Sequence, residues 1–282
     1  MSADHDTSTR SVEYYDYQLD STCWFGVTEI DYRLFIEALP WRRLLAHLPD
    51  TLRLLDVGCG TGKFPVMLAE TLADGPLNWR IDALDPSHVS LQRFARNCAP
   101  WFTIGKQFCH HVETFSPATL RHSYDLLWAI HSLYTLTPPV TAQVLQAFHD
   151  WLKPRGGIGI IYQGSTAGFY HRFYELYRHT EQPSLSPFMS SEMLTRTLTD
   201  LAIPWQETVL AFNHTIATHD TTTRDYYLQQ CVFEDRPARH WLHRPVYQAF
   251  LETFVEGGDY HFPQRNSAIV FGDIPPVFDP TP

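Results

Sequence analysis

Short, almost wholly apolar runs alternate with longer amphipathic stretches through the middle of the chain. LRLLDVG (52–58) reads as a buried strand, followed by a helix with Pro65 in its first turn and Val66, Met67, Leu68 and Leu72 along one side. WRIDALD (79–85) reads as a second strand, and SHVSLQRFARNCA as a helix capped by Ser87. A third strand is expected near 104–110. A fourth, YDLLWAIHSL (124–133), is apolar enough to be covered on both faces. VTAQVLQAFHDWL is an amphipathic helix stopped by Lys153-Pro154, and GGIGIIYQG is a fifth strand. Five strand–helix alternations predict a parallel sheet with helices on both faces.

The flanks read differently. Residues 1–50 suggest short helices, and residues 169–200 are mostly helical, with a capping box expected at Ser190 or Ser191. WQETVLAFNHTIATH reads as a long strand, TRDYYLQQCVF and HRPVYQAFLETFVEG as helices, and RNSAIVFGDI as a last strand. Two late strands separated by helices suggest an antiparallel pair closing the sheet edge. The tail PPVFDPTP cannot hold a helix. The expected organisation is a helical lid (1–50), a ligand-binding core (51–168), and a C-terminal part (169–282) with substrate-covering helices and the closing strands.

Composition narrows the function. Of 282 residues, 44% are hydrophobic, enough for a substantial core. Lys plus Arg number 21 against 31 Asp plus Glu, and no basic run occurs, which argues against phosphate-driven nucleic-acid binding. No apolar run approaches 18 residues, and the polar-then-aromatic N-terminus lacks the regions of a signal peptide. Five scattered cysteines without a CxxC suggest a reduced, cytoplasmic protein. The expected partner is a small-molecule substrate, and the expected state a monomer or dimer.

The turn after the first strand carries the chemistry. LLDVGCGTGKF (54–64) is no P-loop: Phe64 stands where a magnesium-binding hydroxyl belongs, and Val57 where the first glycine should be. Gly58, Gly60 and Gly62 form GxGxG, so the third glycine comes one residue early for a dinucleotide turn. Asp56 at the strand end would repel a pyrophosphate and suits a cationic ligand. S-adenosylmethionine (SAM) carries an ammonium and a sulfonium, and a bare glycine turn lets backbone approach its methionine part. Asp85, ending the second strand, can accept both ribose hydroxyls.

DVGCGTG followed by LDPS resembles the class I SAM-dependent methyltransferases. The resemblance implies an α/β, Rossmann-like fold with a mostly parallel seven-stranded sheet and helical cap elements. The succession LDPSHVSL, FCHHVETF, WAIHSLYTL, IIYQGSTAGFYHRFYELY, FMSSEMLTRTLTDLAI and RNSAIVF is similar, over roughly residues 10–272, to the histamine N-methyltransferase family. That likeness implies cofactor contacts at Gly58, Asp85, Ser90, Phe115 and Ile130, beside Asp56, Gly60, Gly62, Pro86 and Thr114. Ser90 stands for a glutamine and Phe115 for a serine of the family. Its amine-binding glutamate falls near Cys23 and its glutamine on His131; Tyr134 and Asn266 are retained. The pocket aromatics match Tyr14, Tyr17, Phe169 and Tyr174.

His131, at the end of the fourth strand, is the candidate base, with Tyr134 beside it; a structural histidine bonded to a neighbouring carbonyl is the competing reading. For the tyrosines the competing reading is core packing. His110-His111 beside Cys109 would point to opposite faces of a strand, which disfavours a metal site. The expected activity is methyl transfer from SAM to a small molecule, an amine nitrogen foremost. Two alternatives stay open: a SAM-consuming cyclase of the same fold forming azetidine-2-carboxylate and methylthioadenosine, and a non-catalytic SAM-binding module.

Overall fold

A computed structural model describes residues 22–73, 75–233 and 236–274. Tyr14, Tyr17, the Cys23 side chain and the tail 275–282 lie outside the described residues. Among the described residues, the N-terminal part holds one long helix, α1 (Thr22–Ala38), and one short one, α2 (Trp41–Leu45), where short helices were expected. No proline or helix-breaking cluster interrupts residues 22–38, and Pro40 separates the two.

The strand–helix units then follow as the apolar pattern requires: β1 (Leu52–Val57), α3 (Lys63–Leu72), β2 (Trp79–Asp85), α4 (His88–Cys98), β3 (Thr103–Cys109), β4 (Leu126–Ile130), α5 (Pro138–Trp151) and β5 (Ile158–Gly164). Every residue of β4 and β5 is buried, whereas the edge strand β3 is half exposed. The Ser87 side chain accepts the Ser90 amide at 2.9 Å and so starts α4. The remaining elements are α6 (Phe169–Glu181), α7 (Ser191–Asp200), β6 (Trp205–Ala217), α8 (Thr221–Cys231), α9 (Pro245–Glu252), β7 (Val255–Glu256) and β8 (Asp259–Gly272).

The strand order is β3-β2-β1-β4-β5-β8-β6, with the two-residue β7 pairing only β8. The first five strands are parallel; β8 runs antiparallel between β5 and β6. The expected sheet thus acquires an eighth, minimal strand among the described residues. β8 begins six residues before the expected RNSAIVF run because β6 pairs with it along its whole length. Pro263 is tolerated there, since β5 pairs β8 only from Asn266 onward and Pro263 needs a partner on one side alone.

The expected capping box on α7 is absent. Ser190 is the N-cap without a side-chain cap bond, which puts Glu192 one position early for the reciprocal contact. Glu192 instead accepts Ser165 Oγ at 2.6 Å and the Thr166 amide at 3.1 Å, tying α7 to the β5–α6 turn.

Helices α1–α4 pack on one sheet face and α5 with α7 on the other. A third cluster joins α6, α8 and α9 to the outer parts of β6 and β8. Strand order reverses between β1 and β4. Both adjacent turns diverge there, which opens a crevice at the carboxyl ends of the strands.

Candidate functional site

A cavity of about 230 Å³ fills this crevice and runs under α1. One end is the glycine turn. Gly58, Gly60 and Gly62 all have positive φ (67°, 51° and 80°). Their reasons differ. A Cβ at Gly58 would fall 2.2 Å from Ser132 Cβ, and Ser132 Oγ itself bonds Val57 O at 2.7 Å to close the β1–β4 junction. A Cβ at Gly62 would meet Cys98 Sγ at 2.5 Å, where α3 packs on α4. At Gly60 nothing lies within 4 Å of an added Cβ, so this glycine presents bare backbone to the cavity.

Asp85 shapes the turn: its Oδ2 accepts the Gly60 amide at 2.9 Å and its Oδ1 the Ser87 amide at 2.9 Å. Asp56 lies beside it, almost wholly buried. Burial raises the Asp56 carboxyl to about 7; the Trp128 indole partly opposes this and the Asp85 charge adds to it. Lys63 opens α3, with its Nζ 2.8 Å from Glu29 Oε2 on α1 and over the Phe25 ring. Lys63 is the only Lys or Arg among the described lining residues.

The other end lies between α1, the β4 terminus and the C-terminal helices. Trp24, Tyr32, Tyr170, Phe188 and Phe233 form aromatic walls. His131 directly follows β4 with φ 55°, a conformation few side chains adopt and one often found at functional positions. Its amide is held by Tyr162 O at 2.9 Å. Its Nδ1 makes a short hydrogen bond with the Tyr134 hydroxyl, and its Nε2 lies 3.3 Å from Asp31 Oδ2. The His131 side chain thus meets two cavity-lining groups, the Tyr134 hydroxyl and the Asp31 carboxylate.

Asp31, 1% exposed, also takes a short hydrogen bond from His214 Nε2. Burial pushes its carboxyl up, but the His214 charge and the hydrogen bonds of both histidines outweigh that and hold it below the usual range. Burial, with the Asp31 charge added, pushes the Tyr134 hydroxyl well above an ordinary phenol.

The structure brings Asp56, Gly58, Gly60, Asp85, Pro86, Ile130, His131 and Tyr134 to one cavity. It does not bring there several others. Ser90 is consumed in the α4 cap, and the Gly62 position serves helix packing. Thr114 Oγ1 turns back to His111 O, and Phe115 packs on Phe108 and Trp151. The wall at this point is His110–Glu113 instead. Among the described residues, no three His, Cys, Asp or Glu side chains converge as a metal site. Phe169 is stacked on Phe262 in the C-terminal core, and Tyr174 bonds Ser186 O at 2.8 Å; neither lines the cavity. Asn266, fully buried on β8 between β5 and β6, is not itself a lining residue but lies next to one: a Cβ at Gly164 would be 3.6 Å from Asn266 Oδ1 and 3.5 Å from Tyr134 Cε1.

Asp31, Lys63 and Tyr170 escaped the sequence reading. For Asp31 a signal existed: Thr28, Asp31, Tyr32, Phe35 and Leu39 share one helical stripe, and a carboxylate in an apolar stripe is an anomaly.

Residues 54–156 match the methyltransferase domain family. No curated protein sequence matches the chain. Among solved structures, a SAM-dependent methyltransferase from Leishmania major is similar at 18% identity and TM-score 0.52, over 92% of this chain and 80% of that one. A putative methyltransferase from Bacillus halodurans superposes with TM-score 0.53 at 13% identity, over 84% and 99%. A possible histamine N-methyltransferase from Thermotoga maritima gives 0.51 at 15%, over 93% and 98%. At such identities these likenesses speak for the fold alone. Residues 54–156 thus match the methyltransferase domain family, and the fold around them is Rossmann-like, as in these methyltransferase structures.

Proposed function

We propose that the protein transfers the methyl group of SAM to a nitrogen of a small acceptor bound beneath α1, with Tyr134 and His131 receiving the proton the acceptor sheds. The observation that carries this reading is the hydrogen bond between His131 Nδ1 and the Tyr134 hydroxyl at the end of β4, in the same cavity as Gly60 and Asp85.

The residues fit the cofactor. Gly60 leaves an open cradle beside backbone, and the Asp85 carboxylate, which accepts the Gly60 and Ser87 amides, lines the same cavity and would accept the ribose hydroxyls. Asp56 would hold the ammonium. Lys63 and the N-terminus of α3 would hold the carboxylate. When bound, SAM supplies a methyl carbon activated by its sulfonium. The chain then has two tasks, alignment and proton removal. Alignment can supply roughly 7–11 kcal/mol, and the aromatic walls under α1 restrict the acceptor to an approach along the cavity.

Tyr134 is too weak an acid to act as a phenolate. It accepts the acceptor's proton only as its own passes to His131 Nδ1. Asp31 gives the acceptor end a negative charge, which disfavours carboxylate-bearing acceptors and suits an amine.

The test is mass spectrometry of the protein with SAM, first alone and then with biogenic amines, phenols and amino acids. The expected result is S-adenosylhomocysteine formed only with an acceptor, and about 100-fold slower in Tyr134→Phe and His131→Ala. Methylthioadenosine formed without acceptor, above the spontaneous rate, would replace this reading with ring closure. There the amino group of SAM forms a bond to its own γ-carbon as the carbon–sulfur bond breaks. Binding of SAM without either product would leave a binding module.

A further inference from the structure

A base pair of histidine and tyrosine does not by itself call for a buried carboxylate, yet Asp31 lies on the covered face of α1 where an apolar residue would pack. Burying a carboxylate costs several kcal/mol unless well-placed donors answer it. Here two histidines answer it, from two different elements.

We propose that Asp31, held in turn by His214, is a positioning residue that fixes His131 as the Nε2–H tautomer and accompanies with its charge the imidazolium that forms when His131 takes the proton. This rests on the methyl-transfer reading of the site. A carboxylate only accepts hydrogen bonds, so the histidine nitrogen facing it carries the hydrogen. His131 Nε2 faces Asp31 Oδ2, so Nδ1 is left as the acceptor, and Nδ1 meets the Tyr134 hydroxyl. A flipped tautomer would turn an N–H against Tyr134 and leave the base without its lone pair there.

Asp31 would serve poorly if it could rotate. His214, fully buried on β6, donates from Nε2 to Asp31 Oδ1, which leaves Oδ2 for His131. His214 Nδ1 lies 2.8 Å from Tyr227 OH and 3.4 Å from Tyr170 OH. Gln264 Nε2 donates to Tyr227 OH at 3.0 Å and so ties this tyrosine to β8. The chain of contacts runs from β8 through α8, β6 and α1 to the end of β4. The other titratable groups whose charge couples to Asp31 are Tyr32, Tyr134, Tyr162, Tyr170, Tyr227 and Cys231; all are neutral near pH 7, because burial raises each of them. The Asp31 charge is therefore answered by the two histidines.

The proton balance closes. The acceptor nitrogen loses one proton to Tyr134 as its lone pair forms the bond to the methyl carbon. Tyr134 passes its own proton to His131 Nδ1, and the electron pair of the broken carbon–sulfur bond stays on sulfur. His131 returns the proton to solvent after product leaves.

The first test reads the ring itself. The full chain, with ¹⁵N-labelled imidazoles and no ligand, is compared with Asp31→Asn, His214→Leu and His214→Gln; the His131→Phe protein assigns the His131 signals. The expected result is an unprotonated Nδ1 in the wild type and a mixed or inverted tautomer in Asp31→Asn and His214→Leu. His214→Gln, which keeps an N–H for Asp31, should restore the wild-type pattern. Calorimetric SAM affinity within twofold of wild type checks that the variants are folded. An unchanged His131 tautomer in both Asp31→Asn and His214→Leu overturns the proposal. The second readout is turnover with whichever amine of the panel yields S-adenosylhomocysteine. There Asp31→Asn should lower kcat about 100-fold at unchanged KM for SAM. Full turnover in Tyr134→Phe and His131→Ala would sink the proton-accepting role that the methyl-transfer reading gives these two residues, while leaving the tautomer result standing. Lost turnover in those two with full turnover in Asp31→Asn would sink the positioning role alone.

Discussion

Asp56 offers a quantitative test of how the glycine turn receives its cofactor. Its carboxyl is raised to about 7 by burial, so near neutral pH about half of the ligand-free molecules carry it protonated. An ammonium can pair only with the ionised form. Apparent affinity then scales with the ionised fraction, and SAM should bind about 8-fold more weakly at pH 6.0 than at pH 7.5. Replacing Asp56 with Asn removes the titration. Binding becomes flat between these pH values and, with one charge-assisted hydrogen bond lost, weaker by roughly 10- to 150-fold. Titration calorimetry in two buffers of different ionisation enthalpy measures both the affinity and the proton released on binding below pH 7. The stability of the ligand-free protein gives the sign independently. A raised carboxyl contributes stability that is present below about pH 4 and lost as pH rises through about 7, about 4 kcal/mol at most over some three units. Asp56→Asn should therefore gain on the wild type in urea unfolding at pH 8 and not at pH 4. An equal pH slope of SAM affinity in the two proteins would refute the assignment of Asp56 to the ammonium.

The packed and the open glycine of the turn should separate in mutagenesis. Gly60→Ala, strained by its positive φ but free of clashes, should lose about 1–2 kcal/mol of stability and most SAM affinity, whereas Gly58→Ala, driven into Ser132, should lower the unfolding midpoint more. Lys63→Met should weaken SAM binding about 10-fold with a change in unfolding of less than about 1 kcal/mol, because its ion pair with the half-exposed Glu29 is screened; both are read by calorimetry and urea titration. Glu192 has its carboxyl at about 2: burial opposes this, and the hydrogen bond from Ser165 heads the groups that outweigh it. Its contribution is present above about pH 4.5 and lost as pH falls toward 2, and Glu192→Gln should cost about 1 kcal/mol at pH 7 and less at pH 3, since the side chain is exposed and screened.

The alternating core was legible from residues because local patterning dictates it. β4 and β5 are continuous apolar runs, Ser87 caps α4 through its own hydroxyl, and the GxGxG turn with Asp85 at the next strand end lies within one βαβ unit. Contacts within such a unit depend on residues close in sequence, so their order along the chain nearly determines their placement. The pairing of His131 with Tyr134, three residues apart, belongs to the same class.

The rest depended on where distant segments meet. Phe169 and Tyr174 are aromatic like the wall residues Tyr170 and Phe188, and nothing in their composition separates them; helix phase and the docking of α6 on β8 decide which rings face the cavity. Asp31 shows the limit most clearly. Its carboxylate acquires a role only because α1 lays it between His131 and His214, which lie 100 and 183 residues further along the chain. The sequence by itself determined the alternation of strands and helices and the glycine turn proposed as the cofactor cradle, since both arise from short-range patterning and backbone sterics. Only the tertiary structure decided the partners of the buried charge, because a buried ion is satisfied by whatever donors packing brings to it.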